Sequence, residues 1–353
     1  MSNADAARRA EVEIAFDGVD ITKSIRPYFL SMTYTDNEED KTDDLQITLQ
    51  DRDRIWMEQW LSKAIDAAAA AKLKMEAVIV RKNWNGGGKD DILPCGSFEL
   101  DSVEAAGPPH TVTIQGTSLA FSASIRQTKK SKAWEAYYLS GIAGEMAASA
   151  GMTLMYEAAA DPHYDRVEQI KTSDIEFLST LCHNAGISLK ATNKMLVLFD
   201  QAAYESKPAV YTIRRGGRGY ISYNLNSGSA EKKYASCRVS YVDSTGKCIA
   251  AVATDPDQKD SDSTKQRLEI TAKVSSIGEA QALAEKMLRM RNKYEKTATF
   301  TLPGNPALVA GVTVALESWG AWSGRYIVKQ AQHIVNDSGY TTKLTLRRCI
   351  EGY

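Results

Sequence analysis

His333 is one of four histidines in this 353-residue sequence, and it lies in the stretch QHIVNDSGYTTKLTLRRC. An imidazole can act as a base, a metal ligand or a buried hydrogen-bonding group. Residues 336–339 (NDSG) have the composition of a tight turn, and both flanks alternate apolar and polar residues. A hairpin closed by this turn places His333 opposite Thr342. The same face then carries Ala331, Val335, Tyr340, Leu344 and Leu346. No orienting partner for a base is recognisable, so we predict a structural histidine hydrogen-bonded to Thr342.

Two further runs contain residues suited to metal binding or nucleophilic chemistry. Residues 161–165 (DPHYD) gather two carboxylates and an imidazole within one turn. No further ligand is recognisable elsewhere in the sequence, so we predict no metal site. Cys182 and His183 are adjacent on a predicted helix, where their side chains diverge by about 100° and cannot pair as nucleophile and base. We therefore place Cys182 in the core.

Three loops resemble ligand-binding loops in composition. NGGGKD at 85–90 lacks the first glycine and the hydroxyl residue of a phosphate-binding loop, so we interpret it as a hairpin loop. GGRG at 216–219 lacks the spacing of a dinucleotide site and is interpreted as a flexible loop. DPDQKDSD at 255–262 has Lys and Asp where a calcium loop needs an oxygen ligand and a glycine, which indicates a solvated charged segment.

The composition, with 43% hydrophobic and 25% charged residues, is that of an ordinary globular protein. A length of 353 residues predicts more than one domain. Its 43 basic and 44 acidic residues nearly cancel, so the net charge does not attract nucleic acid or an anionic membrane. No signal peptide or membrane-spanning run is recognisable, so we expect a soluble chain made in a cytoplasm. An odd number of cysteines without a CxxC motif predicts reduced thiols: Cys95, Cys182, Cys237, Cys248 and Cys349. We predict no cofactor, no metal, no nucleic-acid specificity and no membrane insertion.

The pattern of elements changes twice along the chain. Residues 11–126 alternate as short strands, interrupted by an alanine-rich segment at 55–74 that predicts a helix. Residues 133–200 show helical periods, first a stripe of Trp134, Tyr138, Ile142 and Met146 that ends at Gly151. A second helix is predicted to start at the capping box of Ser173 and Glu176 and to end at Gly186.

From about residue 209 the sequence returns to strands, with one further predicted helix opened by Ser276 and Glu279. Its apolar face is expected to carry Ile277, Ala280, Ala284, Met287 and Leu288. We therefore predict an α+β, mainly β fold with a β region at 1–126, a small α/β region at 127–205 and a second β region at 206–353. The tryptophans fall near element ends, where they fit core corners and interfaces equally: Trp56, Trp60, Trp84, Trp134, Trp319 and Trp322.

The segment FTLPGNPALVAGVTVALESWGAWSGRYIVKQAQHIVNDSGYTTKLTLRR resembles the C-terminal motif of the phage late control protein D family, the hub proteins of contractile tails. LQITLQDRDRIWMEQW, CGSFELDSVEAAGPPHTVTIQGTS and the block from WEAYYLSGIAGEMAASAGMTLMY to SDIEFLSTLCHNAGISLK are similar to parts of hubs in Gram-positive myophages and phage-tail-like bacteriocins. KAIDAAAAAKLK departs from the shorter connection usual in such hubs. The residues of the C-terminal motif are Pro303, Gly304, Asn305, Gly311, Gly324, His333, Gly339 and Tyr340.

This resemblance implies a structural protein without catalysis, in which two β-barrel-like tube domains flank the α/β domain. It implies a homotrimer that joins a hexameric tail tube protein to a trimeric spike protein and contacts other baseplate proteins and the tape measure protein. The location implied is the tail or baseplate of a virion, or a bacteriocin particle, assembled in the bacterial host cytoplasm. Phage, prophage remnant and bacteriocin remain open as sources.

Two other functions compete with this interpretation. Some tail proteins carry cell-wall hydrolase domains, although no catalytic triad is recognisable here. The α/β region could instead be a peptidoglycan- or carbohydrate-binding module that uses Trp134, Tyr137 and Tyr138 as exposed aromatic contacts.

Overall fold

The structure is a computed structural model that describes residues 7–39, 41–56, 58, 73–84, 89–118, 124–191, 194–228, 233–242, 245–255 and 266–350. The predicted helix over 55–74 and the loops at 85–90 and 255–262 lie largely outside these residues, so the structure leaves those predictions open. Among the described residues, no helix is both long and apolar enough to cross a membrane.

The first part of the chain is built from strands whose alternate side chains are buried. Its elements are β1 Arg9–Phe16, β2 Val19–Asp20, α1 Thr22–Ile25, β3 Phe29–Asn37, β4 Asp44–Gln50, β5 Lys74–Lys82, β6 Asp91–Ala106 and β7 Thr111–Thr117. Asp17 and Gly18 both have positive φ in the tight turn between β1 and β2, as a two-residue hairpin turn requires. Leu45, Ile47 and Leu49 of β4 all point into the core, which confirms the predicted alternation.

The middle part contains two small sheets and two longer helices. Its elements are α2 Ser124–Gln127, β8 Lys129–Tyr138, α3 Leu139–Ser149, β9 Thr153–Glu157, β10 His163–Ser173, α4 Asp174–Ala185, β11 Ser188–Ala191, β12 Met195–Phe199 and α5 Gln201–Glu205. Strands β8 and β10 form a ribbon, and the second sheet has the order β11-β12-β9. Ser173 and Glu176 form the predicted capping box at α4, and Gly186 ends the helix with a φ of 65°.

The predicted helical stripe from Trp134 is wrong in its first half. Trp134 and Tyr138 lie in β8, and the helix α3 starts only at Leu139. Trp134 pairs with Val167 of β10, and its buried ring stacks on Phe177 of α4 at 5.4 Å between centroids. Pairing with a strand some thirty residues later therefore overrides the local helical period.

The last part returns to strands and adds one long helix. Its elements are β13 Tyr211–Arg214, β14 Ser222–Ser227, β15 Ser236–Val242, β16 Cys248–Thr254, β17 Arg267–Thr271, α6 Ile277–Asn292, β18 Lys296–Pro303, β19 Thr313–Glu317, β20 Gly324–Asn336 and β21 Gly339–Arg348. The Ser276 hydroxyl caps α6 as predicted, but the Glu279 carboxylate accepts from the Ser275 amide instead of the Ser276 amide. Ile277 is 67% exposed, so its predicted place on the apolar face is wrong.

The two β regions share one sheet. Its strands follow the order β14-β18-β21-β20-β3-β4-β7-β6-β5-β1-β2, while β19 pairs with β20 and β13 pairs with β19. The join is the antiparallel pairing of β20 with β3, where His333 lies opposite Tyr34. A separate sheet, β16-β15-β17, packs on α6. The predicted α+β, mainly β class is confirmed.

The buried hydrophobic residues of the described segments form four clusters, and the C-terminal hairpin belongs to two of them. Val335 and Tyr340 at its tip pack into the core of the first β region. Ala331 and Leu344 nearer its base pack into the core formed by β13, β14 and β18–β21. One hairpin therefore fills both cores. Three tryptophans lie in cores and not at open surfaces: Trp56, Trp134 and Trp319.

Candidate functional site: a histidine cluster and a buried ionic junction

His333 lies at the centre of a buried hydrogen-bonded cluster. Its Nε2 is 3.1 Å from the Leu308 carbonyl oxygen, which can only accept, so Nε2 carries the proton. Nδ1 then accepts from the Tyr340 hydroxyl at 2.6 Å, and the Thr342 hydroxyl lies 3.3 Å from the same nitrogen. The predicted pairing of His333 with Thr342 is confirmed, although Tyr340 is the closer partner.

The environment of His333 favours the neutral imidazole. The side chain is completely buried, and this burial lowers the pKa of His333 to about 4, against a weaker opposing effect of the Asp36 charge. Both ring nitrogens are engaged by groups that fix the ring. This arrangement suits a structural link between β20 and the loop that contains Leu308.

Part of the C-terminal motif converges on this cluster. A Cβ placed on Gly304 would lie 2.1 Å from the Tyr340 ring, so only glycine allows the loop to lie against that ring. The Asn305 amide donates to the Thr342 hydroxyl at 3.0 Å. From the first β region, Arg81 donates to the Gly304 carbonyl at 2.7 Å. The loop is thus held by the hairpin and by β5 together.

The remaining motif residues shape the backbone at other places. Pro303 ends β18 opposite Thr341. Gly339 has a φ of 115° in the hairpin turn, and Gly324 has a φ of 138° at the start of β20. Gly311, with a φ of 81°, donates its amide to the Val328 carbonyl at 2.8 Å. These glycines occupy left-handed conformations that other residues rarely adopt.

A second site, which we call the ionic junction, was not predicted from the sequence. Its centre is Arg347 of β21, whose side chain is fully buried. The Arg347 guanidinium donates to both Glu38 oxygens, at 2.7 and 3.2 Å, and also to Glu205. Arg289 of α6 binds the other Glu205 oxygen at 2.7 Å. Two arginines and two glutamates therefore alternate in one buried chain of ion pairs.

The adjacent Glu39 extends the ionic junction. Its carboxylate pairs with Lys293 and accepts from the Ser188 hydroxyl at 2.7 Å and the Gln201 amide at 2.6 Å. The charges balance, because the acids Glu38, Glu39 and Glu205 face Arg289, Lys293 and Arg347. Every carboxylate oxygen of these three glutamates accepts a hydrogen bond, as buried charges require.

The electrostatics of the ionic junction follow from burial and pairing. Burial raises the pKa of Glu38, and the nearby Arg347 only partly offsets this. Burial would also raise the pKa of Glu39, but Lys293 and the hydrogen bonds lower it below its usual value. The two glutamates raise the pKa of Arg347 in spite of its burial, so it stays charged.

A smaller group of charges lies at the turn between β3 and β4. Lys190 of β11 binds Asp36 at 2.8 Å and Asp43 at 3.3 Å. The other Asp36 oxygen accepts from the Ala310 amide at 2.8 Å. Burial, with the charge of Asp36, raises the pKa of Asp43 to about 6, although Lys190 opposes the shift. This group also connects all three parts of the chain.

The ionic junction connects parts that are far apart in sequence. Glu38 and Glu39 belong to the first β region, Glu205 to the α/β region, and Arg289 and Arg347 to the second β region. Residues 34–44 (YTDNEEDKTDD) are unusually acidic, but nothing local distinguishes a buried acidic run from a solvated one. The basic partner Arg347 is 309 positions away from Glu38.

The other candidate residues serve local structure. Asp161 accepts from the Ser140 amide at 3.0 Å, and Asp165 pairs with Lys273. No group of three or more His, Cys, Asp or Glu arranged for a metal occurs in the described ranges. Cys182 is buried as predicted, and burial raises the pKa of its thiol to about 12. Of the three proposed glycan contacts, Tyr137 and Tyr138 are exposed, whereas Trp134 is buried.

The fold of this chain is similar to the folds of phage tail proteins. A tail protein from Neisseria meningitidis MC58 superposes with a TM-score of 0.68 at 12% identity, over 96% of this chain and 97% of its own. The 43 kDa tail protein of prophage MuSo2 from Shewanella oneidensis gives 0.67 at 13% identity, over 96% and 98%. At such low identities these matches establish a shared fold.

Part of the sequence is also similar to probable baseplate hub proteins. The probable baseplate hub protein of Escherichia phage P2 is 28% identical over 192 residues, which are 52% of this chain and 44% of the phage protein. The matched part thus spans less than half the length of that relative. No family model matches the chain. The resemblance to contractile tail hub proteins inferred from the sequence is confirmed.

Proposed function

We propose that this protein is the structural hub of a contractile tail or phage-tail-like particle, a homotrimer that joins a hexameric tail tube to a trimeric spike. The observation that carries the proposal is the match of nearly the whole chain to tail proteins, combined with the sequence similarity to a baseplate hub. In this proposal the chain works by assembly and not by catalysis. Residues 1–126 and 206–353 act as two tube domains, and residues 127–205 form the α/β domain between them.

The edges of the main sheet support a ring of identical chains. Strand β14 pairs only with β18 among the described strands, so its other edge is available. At the far side, β6 pairs with β5 through residues 91–99 and with β7 through residues 99–106. Residues 101–106 therefore also have an available edge within the described part of the chain. Ile221, which precedes β14, and Tyr223 within it are exposed hydrophobic side chains that a neighbouring copy of the chain would cover.

The direction of these strands fits head-to-tail association. Every pairing from β14 through β18, β21, β20, β3, β4 and β7 to β6 is antiparallel. The two edge strands consequently run in opposite directions, so β14 of one copy can continue the sheet against β6 of the next. Head-to-tail contacts of this kind close into a ring when the rotation from one copy to the next is a whole-number fraction of a full turn. The proposed ring contains three copies.

The ionic junction supports a hub that holds its domains together under mechanical load. It ties the two tube domains and the α/β domain into one unit through buried charges. Removing one partner of such a pair costs roughly 3–5 kcal/mol, so the domains resist being pulled apart. The proposed partners are the tail tube protein, the spike protein, other baseplate proteins and the tape measure protein. The proposed place is the tail of the assembled particle.

The mass of the purified protein by light scattering, over a wide concentration range and with the tube or spike protein added, tests the proposal. We expect a trimer of about three times 38.7 kDa. The substitution Ser227→Pro in β14 removes a backbone N–H that points away from β18, toward the open edge of the sheet, and should shift the mass toward the monomer. Glu269→Pro, in the edge strand β17 of the separate sheet, is the control and should leave the trimer intact. A chain that stays monomeric under all these conditions contradicts the proposal.

A further inference from the structure

A cavity lies where the turn after β3 meets the residues that follow α6 and the hairpin of β20 and β21. Its volume is about 310 Å³, and one water molecule takes up roughly 30 Å³ in the liquid. The cavity is therefore large enough for a small ion together with several waters. We call it the lysine cavity, and its lining includes Asn37, Lys41, Tyr294, Lys329, Gln330 and Thr345.

Lys329 lines the lysine cavity at an irregularity in β20. The pairing of β20 with β21 shifts register between Val328 and Gln330, which leaves Lys329 as the extra residue of a β-bulge. Such bulges redirect a side chain out of the regular alternation of a strand. The Lys329 carbonyl accepts from the Glu38 amide at 2.9 Å, so the turn after β3 holds the bulge in place.

Two lysines share the ring of Tyr294 at the wall of the lysine cavity. The Lys329 Nζ lies 4.3 Å from the ring centroid, and the Lys293 Nζ lies 5.2 Å from it. The face of an aromatic ring attracts cations, which offsets part of the repulsion between the two ammonium groups. Burial, and then the charge of Lys293, lower the pKa of Lys329 below its usual value, while the nearby Glu39 opposes them. The fold therefore keeps Lys329 where its positive charge is poorly compensated.

The charges around the lysine cavity do not balance. Lys293 pairs with Glu39, and both oxygens of that carboxylate already accept hydrogen bonds. Within the described ranges, the ammonium groups of Lys329 and Lys41 form neither an ion pair nor a hydrogen bond. The charge of Lys41 also lowers the pKa of Lys329, so the two groups act on each other. Since the pair of Lys293 and Glu39 is neutral, two uncompensated cations remain at the cavity wall.

We propose that the lysine cavity binds a small phosphate-type oxyanion between Lys329 and Lys41. A compact ammonium group acts on a phosphate as a point charge, whereas the planar fork of arginine suits the flat carboxylate. The Thr345 hydroxyl and the Gln330 side-chain amide line the same space and can donate to further oxygens. One N–H of that amide donates to the Asn37 side chain at 2.9 Å, which fixes the group. Its second N–H has no acceptor in the described part of the chain and is available to the anion.

A bound anion links the two β regions. Lys41 belongs to the turn after β3, whereas Lys329 and Thr345 belong to β20 and β21. An oxyanion that contacts both sides adds a bridge next to the place where β20 pairs with β3. All the residues that contribute lie in one chain, so the site does not require assembly into a ring.

Isothermal titration of the purified full chain with inorganic phosphate tests this site. Chloride keeps the ionic strength constant, so that general screening does not change during the titration. We expect one phosphate to bind per chain, and Lys329→Gln to weaken the binding about tenfold or more by removing one charge-assisted contact. Lys41→Gln should also weaken it. Because Lys41 is exposed, that variant leaves the packing around Tyr294 intact.

The matched control is Lys343→Gln, which removes an exposed cation from the same strand as Thr345 but does not line the cavity. We expect this variant to bind phosphate as the wild type does. Failure of the wild type to bind phosphate, or an equal loss in Lys343→Gln and Lys329→Gln, would overturn the inference.

Thermal unfolding gives a second measurement of the same site. Phosphate should raise the unfolding midpoint of the wild type, because a ligand that binds only the folded state stabilises it. In chloride alone, Lys329→Gln should unfold at or above the wild-type temperature, because it removes a charge that burial and Lys293 disfavour. In phosphate the wild type should be the more stable of the two. If Lys329→Gln is less stable by the same amount in both salts, Lys329 has a purely structural role and the anion site is refuted.

Discussion

Replacing Arg347 by methionine removes the central cation of the ionic junction and tests its energetic importance. Methionine keeps an unbranched side chain in the same space but leaves Glu38 and Glu205 buried with less positive charge around them. Breaking a buried ion pair by removing one partner costs roughly 3–5 kcal/mol. Arg289 still pairs with Glu205, so we expect a loss near the lower end, about 3 kcal/mol in the free energy of unfolding.

The pH dependence of this variant has a definite sign. Burial without Arg347 raises the pKa of Glu38 further above its unfolded value, so the folded variant takes up a proton more readily than the unfolded chain. Protonation removes the unpaired charge, and the deficit relative to wild type should shrink as the pH falls from 7 to 5. Glu38→Gln combined with Arg347→Met should recover part of the loss at pH 7, because it removes the same charge.

Chemical denaturation of the wild type and the variants at both pH values measures these effects. The matched control is Arg348→Met, because the neighbouring Arg348 side chain is partly exposed and, within the described residues, donates one long hydrogen bond of 3.5 Å to the Ala321 carbonyl. We expect this change to cost less than about 0.5 kcal/mol. If Arg347→Met costs no more than Arg348→Met, or its deficit does not depend on pH, the ionic junction does not hold the domains as argued.

Three further predictions follow from the histidine cluster and the α/β region. Gly304→Ala should destabilise the protein by at least about 2 kcal/mol in denaturation, because its Cβ overlaps the Tyr340 ring, and Tyr340→Ala should relieve that overlap in the double variant. The pKa of His333 is lowered to about 4 in the folded state, so stability is complete above the unfolded pKa of 6.5 and falls on acidification. This contributes a loss of about 2 kcal/mol between pH 7.5 and 5 that His333→Gln should abolish; equal acid sensitivity of both proteins would refute it. Insoluble peptidoglycan should not retain the full chain, and zymograms should not clear; retention that Tyr138→Ala abolishes would instead favour the carbohydrate-binding function.

The C-terminal hairpin illustrates what local sequence predicts well. The NDSG turn and the alternating flanks place His333 opposite Thr342 and Val335 opposite Tyr340, and the structure has this register. The capping box of Ser173 and Glu176 is local in the same sense, since its atoms are three residues apart. Short-range periodicity and turn chemistry determine such features before any tertiary contact forms.

The sequence failed where distant partners decide the outcome. The spacing of apolar residues from Trp134 to Ile142 predicted a helix. Pairing with β10 and the contact of Trp134 with Phe177 instead make the first half of this segment a strand. Ile277 fits the apolar face by spacing, yet it lies at the exposed start of α6. Spacing along a helix predicts a face but not how far the neighbouring sheet extends beneath it.

The sequence by itself determined the strands, the caps and the hairpin register, because these depend on residues close together in the chain. Only the tertiary structure decided that Arg347 meets Glu38 across 309 positions, and that one hairpin fills two cores. A buried charge and a solvated charge look alike in a sequence. Their difference arises from desolvation, which exists only once distant segments have packed around them.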